Sequence, residues 1–324
     1  MKTIQFDSLQ CFRGVAALAI VLHHAGLSTN AFIESLPAVF NYFCHISFLG
    51  VDFFFVLSGF IILNSHLSDE KNSRALKRYL IKRFIRIFPA YWLISALLIL
   101  CYTLLPTLSQ GTRTEFSLLS SLLLLPATAP PVLSVAWTLI YEVMFYIIFV
   151  TFFISLRLFI TVVCVWISVI SLNFLFTHYE PYSPWLKLIL NPINSEFIFG
   201  MMVAYLAKIV SPAYRYVLIF FAIISFIIFL YCGLETHYRF LWGLPFSCLL
   251  LGAVLLERQQ KLSLPYAIIA LGEAKLFYLF ATQSLIIIHQ SNNSLYSSAY
   301  ALVARVINRH SDEYWLRYGL SLFY

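Results

Sequence analysis

Apolar residues recur along this chain in stretches long enough to cross a bilayer, and no polar stretch between them is long enough to fold as a separate soluble domain. A helix needs about 20 apolar residues to span the hydrocarbon core, and the pattern predicts about ten crossings. The first covers residues 11–27. A polar segment then leads to a second helix that begins near Ile46 and holds Gly50, Asp52 and Gly59. Residues 65–88 are basic, and within them Leu76, Leu80, Arg83 and Ile87 fall at helical spacing. That predicts an amphipathic helix on the inner membrane surface, with Pro89 bending the chain into a third crossing that ends near Pro106. Residues 115–125 are too short to span and Pro126, Pro130 and Pro131 follow, so a re-entrant or interfacial piece is expected. Further helices are expected over 135–156, 158–176, 185–208 (interrupted by Pro192 and Glu196), 214–232, 240–256, 265–289 and 296–307.

Charge orients this series. Lys71, Arg74, Lys77, Arg78, Lys82, Arg83 and Arg86 face only Asp69 and Glu70, which assigns 66–88 to a basic cytoplasmic loop. Ten crossings then leave both termini in the cytoplasm, and Arg157, Lys208, Arg215, Arg258, Lys261, Arg305, Arg309 and Arg317 fall on inner turns, against few outer cations such as Arg113 and Arg239. The predicted fold class is an all-α polytopic membrane helix bundle forming one domain over residues 1–324. Residues 1–10 carry one lysine, and the next apolar run opens with Arg13 and closes on His23 and His24, so a retained helix is expected and not a cleaved signal.

Composition agrees. Charged residues make up 11% of the chain, against about 25% in soluble domains. The net charge of +7 follows from basic inner loops and implies no nucleic-acid partner. Six scattered cysteines give neither a disulfide framework nor a zinc site, and no metal is expected.

Four intramembrane features carry candidate chemistry. Arg13 and His24 are eleven residues apart. That is three turns plus about 20°, so one helix face carries both, about 16 Å apart. Such groups are costly in lipid unless they face a cavity. His24, Asp52 and Glu142 are predicted at similar depth, which allows a cavity lined by all three. An imidazole held by a carboxylate is a general base suited to acyl transfer onto an alcohol. The alternative is that each polar group bonds a neighbouring helix as packing glue. The basic residues of 74–86 either touch anionic lipid or clamp phosphates at a cavity mouth. Gly50 and Gly59 fit close helix packing, and Glu196 either lines the cavity or satisfies backbone groups freed by Pro192.

Four segments, in this order, resemble the signatures of the acyltransferase-3 family of membrane acyltransferases. They are Arg13-Gly14-Val15-Ala16-Ala17-Leu18 continuing to His24; Gly50-Val51-Asp52-Phe53-Phe54-Phe55-Val56-Leu57-Ser58-Gly59-Phe60; Arg83-Phe84-Ile85-Arg86-Ile87-Phe88-Pro89-Ala90-Tyr91-Trp92; and Trp137-Thr138-Leu139-Ile140-Tyr141-Glu142-Val143-Met144-Phe145-Tyr146. Leu9-Gln10 and Pro131-Val132-Leu133 look most like the exopolysaccharide O-acetyltransferase branch. The resemblance implies a bundle of about ten helices in a bacterial inner membrane. It would move an acetyl group from acetyl-CoA, a donor substrate and not a bound cofactor, to a hydroxyl of a sugar or lipid-linked glycan. By the same resemblance His24 is the base or transient acyl acceptor, Arg13 contacts acyl-CoA, Arg83 and Arg86 hold its phosphates, and Glu142 orients His24 or the acceptor. Asp52 sits within its motif as a third candidate catalytic residue. One departure stands out: a family histidine near the end is replaced by Thr282 and Gln283, and the serine of that segment by Lys275. The rival expectations are a glycolipid or polysaccharide transporter or flippase and a non-catalytic membrane partner. Membrane lipids are expected partners in every case, and the sequence sets no oligomeric state.

Overall fold

The computed structural model describes residues 7–30, 37–104, 118–133, 135–177, 182–233 and 238–259. The helices are α1 (Asp7–Asn30), α2 (Ala38–Ile46), α3 (Gly50–His66), α4 (Ser73–Leu104), α5 (Leu118–Leu123), α6 (Ala136–Ile154), α7 (Leu156–Leu172), α8 (Pro184–Leu190), α9 (Asn194–Ile209), α10 (Arg215–Tyr231) and α11 (Gly243–Glu257). No strand occurs among the described residues. Eight helical stretches among them are long and apolar enough to cross a membrane. The chain is therefore an all-α polytopic membrane bundle. The two crossings expected over 265–289 and 296–307, and the segment holding Lys275, Thr282 and Gln283, lie outside the described residues.

Helix α3 is the central post. Val56, Leu57, Phe60 and Ile62 are each at most 1% exposed, so the helix is apolar and covered all round. Lipid tails are as apolar as these side chains, so close packing has to hold the post. Glycine provides it. A Cβ on Gly59 would stand 2.0 Å from the Phe197 carbonyl oxygen, and one on Gly200 1.9 Å from that of Val56, so the α3 and α9 backbones are in direct contact. The expectation of close packing at Gly50 holds as well, with the Ala16 carbonyl of α1 at 2.5 Å from such a Cβ. Aromatic rings fill the next layer, among them the stacked pair Phe145 and Phe197 with centroids 4.5 Å apart. Helices α7 and α10 lie outside, presenting Val165, Phe220, Phe221 and Ile227 outward.

Expectations at two prolines change. Pro89 does not separate a surface helix from a crossing, because α4 runs unbroken through it for 32 residues. Its buried positions explain why: Ala75, Tyr79, Arg83, Ile87, Tyr91, Ile94, Leu98 and Tyr102 continue one stripe past the proline, which itself lies on the exposed side. Residues 66–88 are thus helical from Ser73 on, packed against α6 through the Tyr79 hydroxyl, which donates to the Tyr146 carbonyl at 3.1 Å. The expected interruption at Pro192 is a full break between α8 and α9, where the Asn191 side chain accepts from the Ile193 N–H at 3.0 Å.

Candidate functional site

The candidate residues fall into two charged groups at different depths. The first gathers between the first half of α4 and α6, with Arg13 of α1 within electrostatic reach. Arg13, Arg86, Glu142 and Tyr146 lie within electrostatic reach of one another, and Arg83 acts on Tyr79 and Tyr146. The Tyr146 hydroxyl donates to the Glu142 carboxylate one helical turn earlier. Arg83 is 9% exposed, stands 5.5 and 5.3 Å from the ring centroids of Tyr79 and Tyr146, and donates from Nη2 to Nε2 of His66 at 3.2 Å. A guanidinium only donates, so this nitrogen accepts, and Nδ1–H of His66 donates to Asp69 at 2.7 Å. Arg83 Nε has no hydrogen-bond partner among the described residues. Arg13 donates to Gln10 at 3.1 Å. Arg13 and Arg86 thus act on the Glu142 carboxylate, and Arg83 joins the group through Tyr146; three guanidiniums with one carboxylate among them attract anions.

The second group is closed. Asp52 is fully buried and receives both Nε (2.8 Å) and Nη2 (2.7 Å) of Arg239, whose guanidinium stacks 4.6 Å over the Phe48 ring. The carboxylate of Glu196, also fully buried, lies against Asp52 yet makes no hydrogen bond in good geometry among the described residues. Arg239 lies within electrostatic reach of Tyr141 and His23 as well. Asn191 donates to the Tyr141 hydroxyl at 2.8 Å.

His24 sits apart from both carboxylates that sequence reading placed beside it. Gly50 of α3 meets α1 at Ala16, Ala19 and Ile20, and His24 lies four to eight residues further on, about 6–12 Å along the axis. Its neighbour His23 donates from Nδ1 to the Cys44 carbonyl at 2.9 Å, and the two imidazole rings are 5.3 Å apart. Glu142 lies in the other direction, beside Arg13. So His24, Asp52 and Glu142 do not share one depth. The reason is α2: with the turn Ser47–Leu49 it extends the second span to Ala38–His66, which puts Asp52 near its middle instead of near its outer end. The structure therefore brings Arg13, Arg83, Arg86 and Glu142 together, pairs Asp52 elsewhere, and leaves His24 with His23 near α2.

Sequence reading missed Arg239 and assigned it to the outer surface. A signal existed: a carboxylate inside an apolar run needs a cation, and Arg239 is one of the few basic residues expected at that end of the bundle.

The fold and site together define a helical membrane protein with a buried ion pair at its centre and an arginine-rich group toward one end. The chain matches the Acyltransferase domain family over residues 6–316, and it belongs to that family. It is 36% identical over 106 residues to the exopolysaccharide production protein ExoZ of Rhizobium meliloti, covering 31% of this chain and 32% of that one. It is 35% identical over 136 residues to protein 2 in the picA locus of Rhizobium radiobacter, covering 38% and 65%. To the peptidoglycan O-acetyltransferase OatA of Listeria monocytogenes it is 33% identical over 95 residues, covering 29% and 13%. The chain thus spans less than two thirds of each of these relatives. No solved structure matches it.

Proposed function

We propose that this chain is a membrane O-acyltransferase that moves an acetyl group from acetyl-CoA, bound from the cytoplasm, to a hydroxyl of an exported polysaccharide or lipid-linked glycan. The setting is a bacterial inner membrane, the whole chain acting as one domain. The observation that carries the reading is the group of Arg13 and Arg86 at the Glu142 carboxylate with Arg83 beside Tyr146, and His24 about 16 Å along the helix from Arg13. That separation suits a donor whose phosphates and thioester stand at opposite ends of a long arm. The named relatives supply the acceptor class, since one is named for exopolysaccharide and another for O-acetylation of peptidoglycan.

In the proposed reaction the acceptor oxygen attacks the thioester carbonyl while its proton passes to His24. The carbon–sulfur bond breaks, and the departing thiolate takes the proton back from His24. Glu142 acts here on the arginines beside it and not on His24. Asp52 is a brace that holds Arg239, whose guanidinium lies within electrostatic reach of His23.

The test is purified protein in lipid nanodiscs with acetyl-CoA labelled on the acetyl group. Binding of the donor that Arg13→Ala weakens at least about tenfold, and acetyl transfer to membrane-extracted glycan that His24→Ala abolishes, are expected. Glycan movement across the membrane without acetyl-CoA consumption would establish a flippase and end the proposal.

A further inference from the structure

A cleft of about 450 Å³ opens where the Pro-rich segment after α5, the start of α6 and α8 come together, away from the arginine-rich group. Its walls include Trp137, Tyr141 and Tyr182 together with Ser120, Thr128 and Lys187. We infer that this cleft holds the sugar ring of the acceptor, an inference that rests on the acyltransferase reading.

The chemistry of the lining selects the occupant. A sugar ring has an apolar C–H face and a rim of hydroxyls. Aromatic faces take the first, and hydroxyls, an ammonium and backbone carbonyls take the second. The volume falls within the about 300–1,000 Å³ of small-ligand sites, room for a short stretch of glycan. A lipid tail would leave the polar lining unmatched. Lys187 is the charged side chain in the lining, which suits a neutral or acidic sugar and disfavours a cationic one.

The wall is also rigid. The Tyr91 hydroxyl donates to the Ser121 carbonyl at 2.7 Å and Trp92 to that of Leu122 at 2.8 Å. The Ser121 hydroxyl accepts from the Val132 N–H at 3.2 Å, which ties the loop across its own neck. Leu124, 1% exposed, is held at φ 53°, a left-handed conformation that a leucine adopts only where its surroundings impose it. A strained, tied loop beside an open cleft is a pre-formed binding wall.

The cleft also backs onto the charged centre. Tyr141 packs on Phe55 with centroids 6.0 Å apart and lies within electrostatic reach of Arg239, and its hydroxyl accepts from Asn191, which leaves its proton to donate. The next residue on α6 is Glu142. A glycan seated against Trp137 and Tyr141 therefore rests on the helix that carries the arginine-facing carboxylate, with the Asp52–Arg239 pair behind it.

The test uses cells whose own copy carries Tyr182→Ser with Lys187→Ala. Both side chains are exposed, so their truncation leaves the core intact. The O-acetyl content of surface polysaccharide, read by mass spectrometry, should fall at least about fivefold. The purified variant should bind acetyl-CoA with a Kd within about twofold of the parent, and Tyr182→Trp should restore most of the acetylation. Unchanged acetylation in the double variant overturns this inference alone. Acetyl-CoA affinity that falls in step with acetylation makes the cleft a donor site and overturns it too. Loss of co-purifying phospholipid from the variant with acetylation intact identifies a lipid site and does the same. A parent that binds no acetyl-CoA and leaves its surface glycan unacetylated overturns the proposed function, and this inference with it.

Discussion

The Asp52 centre and the arginine group around Glu142 are built on neighbouring helices of one bundle, and they meet the cost of buried charge in opposite ways. At Asp52 the carboxylate has its partner within the fold: two hydrogen-bond donors of one guanidinium engage it, an aromatic ring covers the cation, and the Glu196 carboxyl lies in the same closed group. At Arg83 the charge is unmatched: a 9%-exposed guanidinium has a neutral imidazole and two phenol rings as partners, with one nitrogen unbonded among the described residues. A matched pair holds helices together, whereas an unmatched cation is completed by something the protein does not itself supply. The first therefore reads as architecture and the second as a site.

The largest effect expected from this contrast is on stability. Arg239→Ala leaves Asp52 and Glu196 buried with no cation, and breaking a buried pair by removing one partner costs about 3–5 kcal/mol. The loss here should be smaller, because the Arg239 side chain keeps 28% of its exposure. The variant should melt well below the parent in detergent, and adding Asp52→Asn should recover part of the loss. If Arg239→Ala melts like the parent, the centre is not a brace.

Arg86→Ala should do the reverse. A hydrogen bond to a charged group contributes about 1.5–3 kcal/mol, so on the proposed function KM for acetyl-CoA should rise roughly 10- to 100-fold with the melting temperature unchanged or higher. Arg13→Ala should behave alike. A variant that melts early without changing KM would move these arginines into the same class as Arg239.

Salt separates the two groups without mutation. From about 0.1 M to about 1 M the screening length falls from about 10 Å to about 3 Å, which weakens the attraction of a charged donor arriving from solution far more than that of two charges already in contact. Donor affinity should weaken severalfold, while the melting temperature that Asp52 and Arg239 support should barely move. Equal sensitivity in both readouts would remove the distinction.

The spans were legible because a bilayer imposes length and apolarity on each one separately, so α1, α6, α7, α10 and α11 fall within a few residues of their expected positions. What one sequence could not show was which faces meet. Pro89 reads as a break, yet the stripe from Tyr79 through Arg83 and Ile87 to Tyr91 keeps its four-residue step across it. That step, followed past the proline, would have carried Arg83 inward to Tyr146. The depth of Asp52 was misjudged because Ala38–Ile46 looked like a polar outer segment, although Val39, Phe40, Tyr42 and Phe43 make it apolar enough to lengthen the span. Arg239 follows from neither period nor length; only the need of Asp52 for a cation points to it.

The smallest expected effect concerns His66, which no motif singled out. Its Nε2 accepts from Arg83, and its Nδ1–H is held by Asp69. The imidazole fixes the guanidinium without cancelling its charge, which a carboxylate in the same place would do. His66→Leu removes the hydrogen bonds to both Arg83 and Asp69; with about 0.5–1.5 kcal/mol of the positioning of Arg83 lost, KM for acetyl-CoA should rise roughly two- to tenfold with kcat little changed. His66→Gln, whose carbonyl oxygen can accept from Arg83, should recover part of this. In an Arg83→Ala background His66→Leu should add nothing, because the group it positions is gone. Additive losses in that double variant would mean that His66 acts on α3 packing alone, and Arg83 would then be held by the two tyrosine rings without its help.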